Sequence, residues 1–71
     1  MDRLATMRSF VEVVQEQTFA AAARSLGLSR ALVSRHIADL EQQVGLRLVV
    51  RATRAVKLTE AGQRYWAFGA R

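Results

Sequence analysis

The side chains best suited to chemistry here are Arg30, Ser34 and Arg35, and the chemistry they suit is recognition rather than catalysis. A guanidinium is a rigid fork of hydrogen-bond donors that matches phosphate oxygens or the O6 and N7 edge of guanine. At about 100° per residue, Arg30, Ala31, Ser34 and Arg35 share one side of a helix expected from Ser29 to Val44. Val33, Ile37, Leu40 and Val44 form a narrow apolar stripe on the other side, so one face anchors and the other is left for a partner. Leu32 lies on the flank. A second basic group, Arg51 with Thr53 and Arg54, falls in a segment that reads as a hairpin tip. There arginine suits phosphate or a narrow minor groove.

Other chemistries find little support. The chain has one histidine and no cysteine, so His36 lacks co-ligands for a metal, and its place beside the apolar stripe fits packing or a hydrogen bond. Ser29 and Ser34 have no neighbouring base in sequence; Ser29 is better explained as a helix cap and Ser34 as a contact residue. Asp39 and Glu41 lie on different faces of their helix, which argues against a carboxylate pair. No glycine-rich phosphate loop is present. The expectation is a binding protein with no enzymatic role and no cofactor.

These side chains need elements to position them. Leu4, Met7, Val11 and Val14 recur at helical steps with Phe10 beside them, which predicts a first helix from about Leu4 to Glu16. Gln17 and Thr18 interrupt the pattern. Thr18 can cap a second helix whose inner positions are Phe19, Ala22, Ala23 and Leu26, with Phe10 and Phe19 both read as core. The alanine run allows close helix crossing, and Gly27 supplies the positive φ of a tight turn before the Ser29 cap. Ala23, Gly27 and Val33 together have the spacing of a helix-turn-helix, which sets the second helix in the DNA major groove.

After Gly45 the period changes. Leu46, Leu48 and Val50 alternate with Arg47, Val49 and Arg51, and Val56 and Leu58 flank Lys57; two short strands are expected, with Arg51 to Ala55 as the hairpin tip. Thr59, Glu60, Ala61 and Gly62 open a last helix carrying Tyr65, Trp66 and Phe68. These aromatics either close the core over the first helix or meet another chain, with Trp66 the better candidate for core.

The bulk numbers agree. The chain has 71 residues, 51% of them hydrophobic, no proline and a formal net charge of +5. That is one small domain, rich in helix and near the size at which folding alone becomes marginal. Arg24, Arg30, Arg35, Arg47, Arg51, Arg54 and Lys57 concentrate the positive charge around the motif, opposed by Asp39 and Glu41. Without a signal-like start or a membrane-length apolar run, a cytoplasmic location is expected. The last helix stops at Arg71 in mid-pattern, which suggests a fragment.

Several blocks in register then resemble a known family. Phe19 to Ser29, Val33-Ser34-Arg35, Leu40-Glu41, Gly45 followed by Leu48, and Arg51 to Arg54 leading into Leu58-Thr59-Glu60-Ala61-Gly62 are similar to the N-terminal DNA-binding domain of LysR-type transcriptional regulators. The likeness covers nearly the whole chain. It implies a mainly α winged helix-turn-helix over residues 1–58: a three-helix core, a two-stranded wing and the start of a linker and dimerisation helix over 59–71. It also implies an effector-binding domain outside this chain, through which alone a small molecule would act. By resemblance, Arg30, Ala31, Leu32, Ser34 and Arg35 face bases and nearby phosphates, and Arg51, Thr53 and Arg54 are wing contacts. The family often has proline or glutamine where Arg30 stands, and a smaller residue in place of Leu32. The expected partner is double-stranded DNA carrying an interrupted palindrome. It would be bound by a homodimer formed through the C-terminal helix, with a higher oligomer as an option for the intact protein. A protein-interaction module using the aromatic last helix is the alternative. Membrane association is the weakest reading, because the apolar faces are needed for the core.

Overall fold

Thr18, Ser29 and Thr59 each start a helix for the reason their residue types suggest. Their hydroxyls accept the amides of Ala21 at 3.0 Å, Leu32 at 3.1 Å and Gly62 at 2.9 Å, which satisfies first-turn donors that have no partner inside the helix. The computed structural model describes residues 3–51 and 55–67. In order it contains α1 (Arg3–Glu16), α2 (Phe19–Leu26), α3 (Arg30–Val44), β1 (Val49–Val50), β2 (Lys57–Leu58) and α4 (Glu60–Tyr65). Gly27 closes α2 at φ 69°: its amide reaches the Arg24 carbonyl at 3.3 Å, and the Leu28 amide reaches Ala23 at 2.9 Å. This left-handed closure makes the turn to α3 tight. Gly45, at φ 81°, ends α3 by donating to the Glu41 carbonyl at 2.8 Å.

The core lies where α1, α2 and α3 meet. Phe10, Val13, Ala22, Ala23, Val33, Ile37, Leu40, Leu48 and Val49 are its buried members, and each large one contributes about 1.5–3 kcal/mol by leaving water. Ala22 and Ala23 let α2 approach its neighbours closely, as their small side chains suggest.

The phase of α1 differs from the expected one. Its buried positions are Thr6, Ser9, Phe10 and Val13, while Leu4 is 69% exposed and Met7 and Val14 only flank the core. Hydrophobicity alone pointed to the wrong edge of the helix because two of the inner residues are hydroxyls. Both have partners: Thr6 donates to the Arg3 carbonyl at 2.9 Å, and Ser9 shares a 2.6 Å hydrogen bond with His36 Nδ1. A satisfied hydroxyl can be buried at little cost.

The wing begins later than the alternation of Leu46, Leu48 and Val50 suggested. β1 holds only Val49 and Val50, paired antiparallel with Leu58 and Lys57. Leu48 and Val49 are both buried, whereas Leu46 is 56% exposed. The cause is Glu41, whose Oε2 accepts the amides of Leu48 at 2.8 Å and Val49 at 3.2 Å and draws this segment onto the end of α3. Thr59 holds the other side, its amide donating to the Leu48 carbonyl at 3.0 Å and its hydroxyl to the Arg47 carbonyl at 2.6 Å.

α4 returns over this segment and then over α1. A Cβ on Gly62 would lie 2.0 Å from the Leu48 carbonyl oxygen, so only glycine allows the crossing. Beyond it Tyr65 and Trp66 meet Phe10 edge-on, with ring centroids 5.5 and 6.3 Å apart. The Tyr65 hydroxyl donates to Met7 Sδ at 2.8 Å. Both aromatics are half-buried, so closing the core is shared between them rather than left to Trp66. Phe68 lies outside the described residues.

Candidate nucleic-acid interface

The interface is built from the solvent side of α3. Val33, Ile37 and Leu40 fix the helix to the core, and this leaves Arg30, Ala31 and Arg35 exposed with Ser34 half-buried beside them. Leu32 is half-buried on the flank, where its position on the wheel put it. The Ser29 cap and the Gly27 turn set the N-terminal end of α3 forward, and the two arginines project from that end. Such a surface can donate several hydrogen bonds at once to an anionic or acceptor-rich partner.

Arg51 adjoins this face from the wing, and it is already engaged. Its Nη1 donates to Ser34 Oγ at 2.9 Å and its Nη2 to the Ser34 carbonyl at 3.4 Å. Glu41 Oε1 lies 3.8 Å away, and the guanidinium carbon stands 5.1 Å from the centroid of the Phe19 ring. Phe19 is therefore only partly core: it packs against the buried cluster and also lines a shallow groove with Arg30, Ala31, Ser34 and Arg51. Thr53 and Arg54, the other expected wing contacts, lie outside the described residues.

Glu41 is the residue whose part in holding the wing to α3 sequence reasoning passed over. It is 8% exposed, and its carboxylate receives amides from the start of the wing. A signal for it existed, since residue 41 falls next to Ile37 and Val44 on the helical wheel, at the edge of the buried stripe. Its withdrawal also leaves the basic surface more nearly unopposed, with Arg24, Arg30, Arg35, Arg47 and Lys57 all exposed. His36 is buried and hydrogen-bonded to Ser9, in keeping with a packing role. Among the described residues, no group of acidic, histidine or cysteine side chains is arranged to hold a metal ion. No helix among them is long and apolar enough to cross a membrane.

Comparison with known proteins agrees with this architecture. A family model described as bacterial regulatory helix-turn-helix protein, lysR family, matches residues 4–63. An HTH-type transcriptional repressor of Pseudomonas aeruginosa strain UCBPP-PA14 is 47% identical over 66 residues, covering 93% of this chain and 21% of that protein. The transcriptional regulator DsdC of Escherichia coli K12 is 44% identical over 66 residues, with 92% and 21% covered. The chain thus spans about a fifth of the length of these relatives. Among solved structures, the BenM DNA-binding domain in complex with catB site 1 DNA superposes with a TM-score of 0.87 at 38% identity, over 96% of this chain and 75% of that one. OxyR of Corynebacterium glutamicum gives 0.88 at 34% identity, over 96% and 22%.

Proposed function

The chain belongs to the lysR family of bacterial regulatory helix-turn-helix proteins, and from this premise we propose that it binds double-stranded DNA sequence-specifically as the DNA-binding domain of a transcriptional regulator. The observation that carries the proposal is the exposed basic face of α3, set opposite the buried side chains of Val33, Ile37 and Leu40. The likeness to a domain solved on its DNA site supports the same reading. In this reading α3 enters the major groove. Arg35, and secondarily Arg30, read base edges, with Ala31, Leu32 and Ser34 alongside them. Thr53 and Arg54 take phosphate or minor-groove positions from the wing. Two copies meet through the continuation of α4 and read the halves of an interrupted palindrome in the bacterial cytoplasm. A protein-docking role for the aromatic helix is less favoured, because Tyr65 and Trp66 face Phe10 within the same domain.

Fluorescence anisotropy of an interrupted-palindrome duplex selected on the protein, against a scrambled duplex across a salt series, tests this. Affinity should fall steeply as salt rises, with a preference for the selected duplex at every salt. Arg35→Ala should remove about 1–3 kcal/mol of that preference, the worth of one bidentate base contact. An unchanged ratio of specific to scrambled affinity would reject the assignment of Arg35. No binding at low salt would reject DNA binding altogether.

A further inference from the structure

Arg51 would ordinarily be counted as a wing cation waiting for phosphate, but its geometry gives it a different task. The guanidinium is held on several sides: Ser34 Oγ at 2.9 Å, the Ser34 carbonyl at 3.4 Å, Glu41 Oε1 at 3.8 Å and the Phe19 face at 5.1 Å. These partners come from the end of α3, its exposed face and the start of α2. The charge already has a carboxylate beside it. Ser34 is the consequence. A hydroxyl has one hydrogen to donate and lone pairs to accept with; here Arg51 occupies the acceptor side, and among the described residues Ser34 Oγ donates to none.

We propose that Arg51 is a positioning residue of the interface: it turns the Ser34 hydroxyl into a committed hydrogen-bond donor aimed at an acceptor oxygen or nitrogen on DNA, and fixes the wing to α3. A charged donor on the oxygen polarises the O–H bond and strengthens the bond it makes outward. The partner chemistry is an acceptor, either a base edge or a phosphate oxygen. This rests on the DNA-binding reading and deepens it.

The test is a double-mutant cycle on the duplex selected from a random pool, with Arg51→Met and Ser34→Ala singly and together. Met keeps the aliphatic cover over Phe19 and removes the donors. Arg51→Met should weaken binding about tenfold alone and less than about threefold in the Ser34→Ala background, as expected of coupled residues. The slope of log affinity against log salt should stay unchanged, because no phosphate contact is lost. Arg51→Lys should not restore affinity, since an ammonium keeps the charge but lacks the fork. Thermal melts of each variant, read by Trp66 fluorescence, keep loss of fold apart from loss of binding. If Arg51→Met is unfolded, Arg51→Lys and Ser34→Ala carry the cycle. Base-pair and methylphosphonate scans then find the acceptor: one position whose change weakens the wild-type protein but not Ser34→Ala. Additive losses, a salt slope lowered by about one ion, or rescue by lysine would make Arg51 a direct phosphate ligand and overturn the proposal, while leaving DNA binding intact. Failure of the wild-type domain to bind any duplex would overturn both.

Discussion

Glu41 shows how one side chain can have a larger effect than its chemistry suggests. Buried at the end of α3, it accepts two amides from Leu48 and Val49, which are themselves buried, and stands beside Arg51. Removing it leaves those amides unpaired away from water, a loss of about 2–4 kcal/mol. Glu41→Ala should therefore lower the urea midpoint sharply, while Glu41→Gln, which keeps an acceptor oxygen, should lose less than half as much. Equal losses from the two variants would mean that the negative charge, rather than the acceptor, holds the segment. The Ser9 and His36 pair has the same character. Two polar groups occupy core positions because each completes the other.

Among the elements, α4 depends most on a single position. Thr59 caps it and ties it to Arg47 and Leu48, Gly62 lets it cross the Leu48 backbone, and Tyr65 and Trp66 then land on Phe10. Gly62→Ala would set a methyl 2.0 Å from a carbonyl oxygen that is fixed by its own hydrogen bond. The helix must shift, at a cost of about 1–3 kcal/mol. Trp66 is the only tryptophan in the sequence, so its emission should move to the red and the melting temperature should fall in this variant. An unchanged emission maximum would show that the crossing relaxes without undocking α4. At the other end of the wing, the Val56 amide donates to the Gln17 carbonyl at 2.6 Å, with Gln17 itself at φ 70°. The hairpin base is thus joined to the turn between α1 and α2 as well as to α3.

For the whole molecule, the helices and the base of the wing form one packed unit that presents a basic face. α4 packs on the same core as α1, through Tyr65 and Trp66 on Phe10. A winged domain that reads half of a palindrome should bind it in two copies, with their recognition helices one DNA turn, about 34–36 Å, or a multiple apart. Native mass spectrometry on an interrupted-palindrome duplex should accordingly find two copies per duplex, and a five-base-pair insertion at its centre should reduce the two-copy species more than a ten-base-pair one. A single copy at saturation would contradict the half-site reading.

Much of this was legible in the sequence because it is local. Helix period, the caps at Thr18, Ser29 and Thr59, the glycine turns at Gly27 and Gly45, and the division of α3 into an anchoring and an exposed face all follow from residues within a few positions of one another. Local sterics and orphan amides dictate them, and the family likeness could be read from the same blocks. Tertiary structure alone decided what depends on distant partners. It gave α1 its phase, because Ser9 needs His36, and it shortened β1, because Glu41 captures Leu48 and Val49. It set Tyr65 beside Trp66 on Phe10 and tied the Arg51 guanidinium to Ser34. The physical reason is common to all of these: a polar side chain is compatible with burial only when its partner is present, and a pattern of hydrophobicity does not say where in the chain that partner lies.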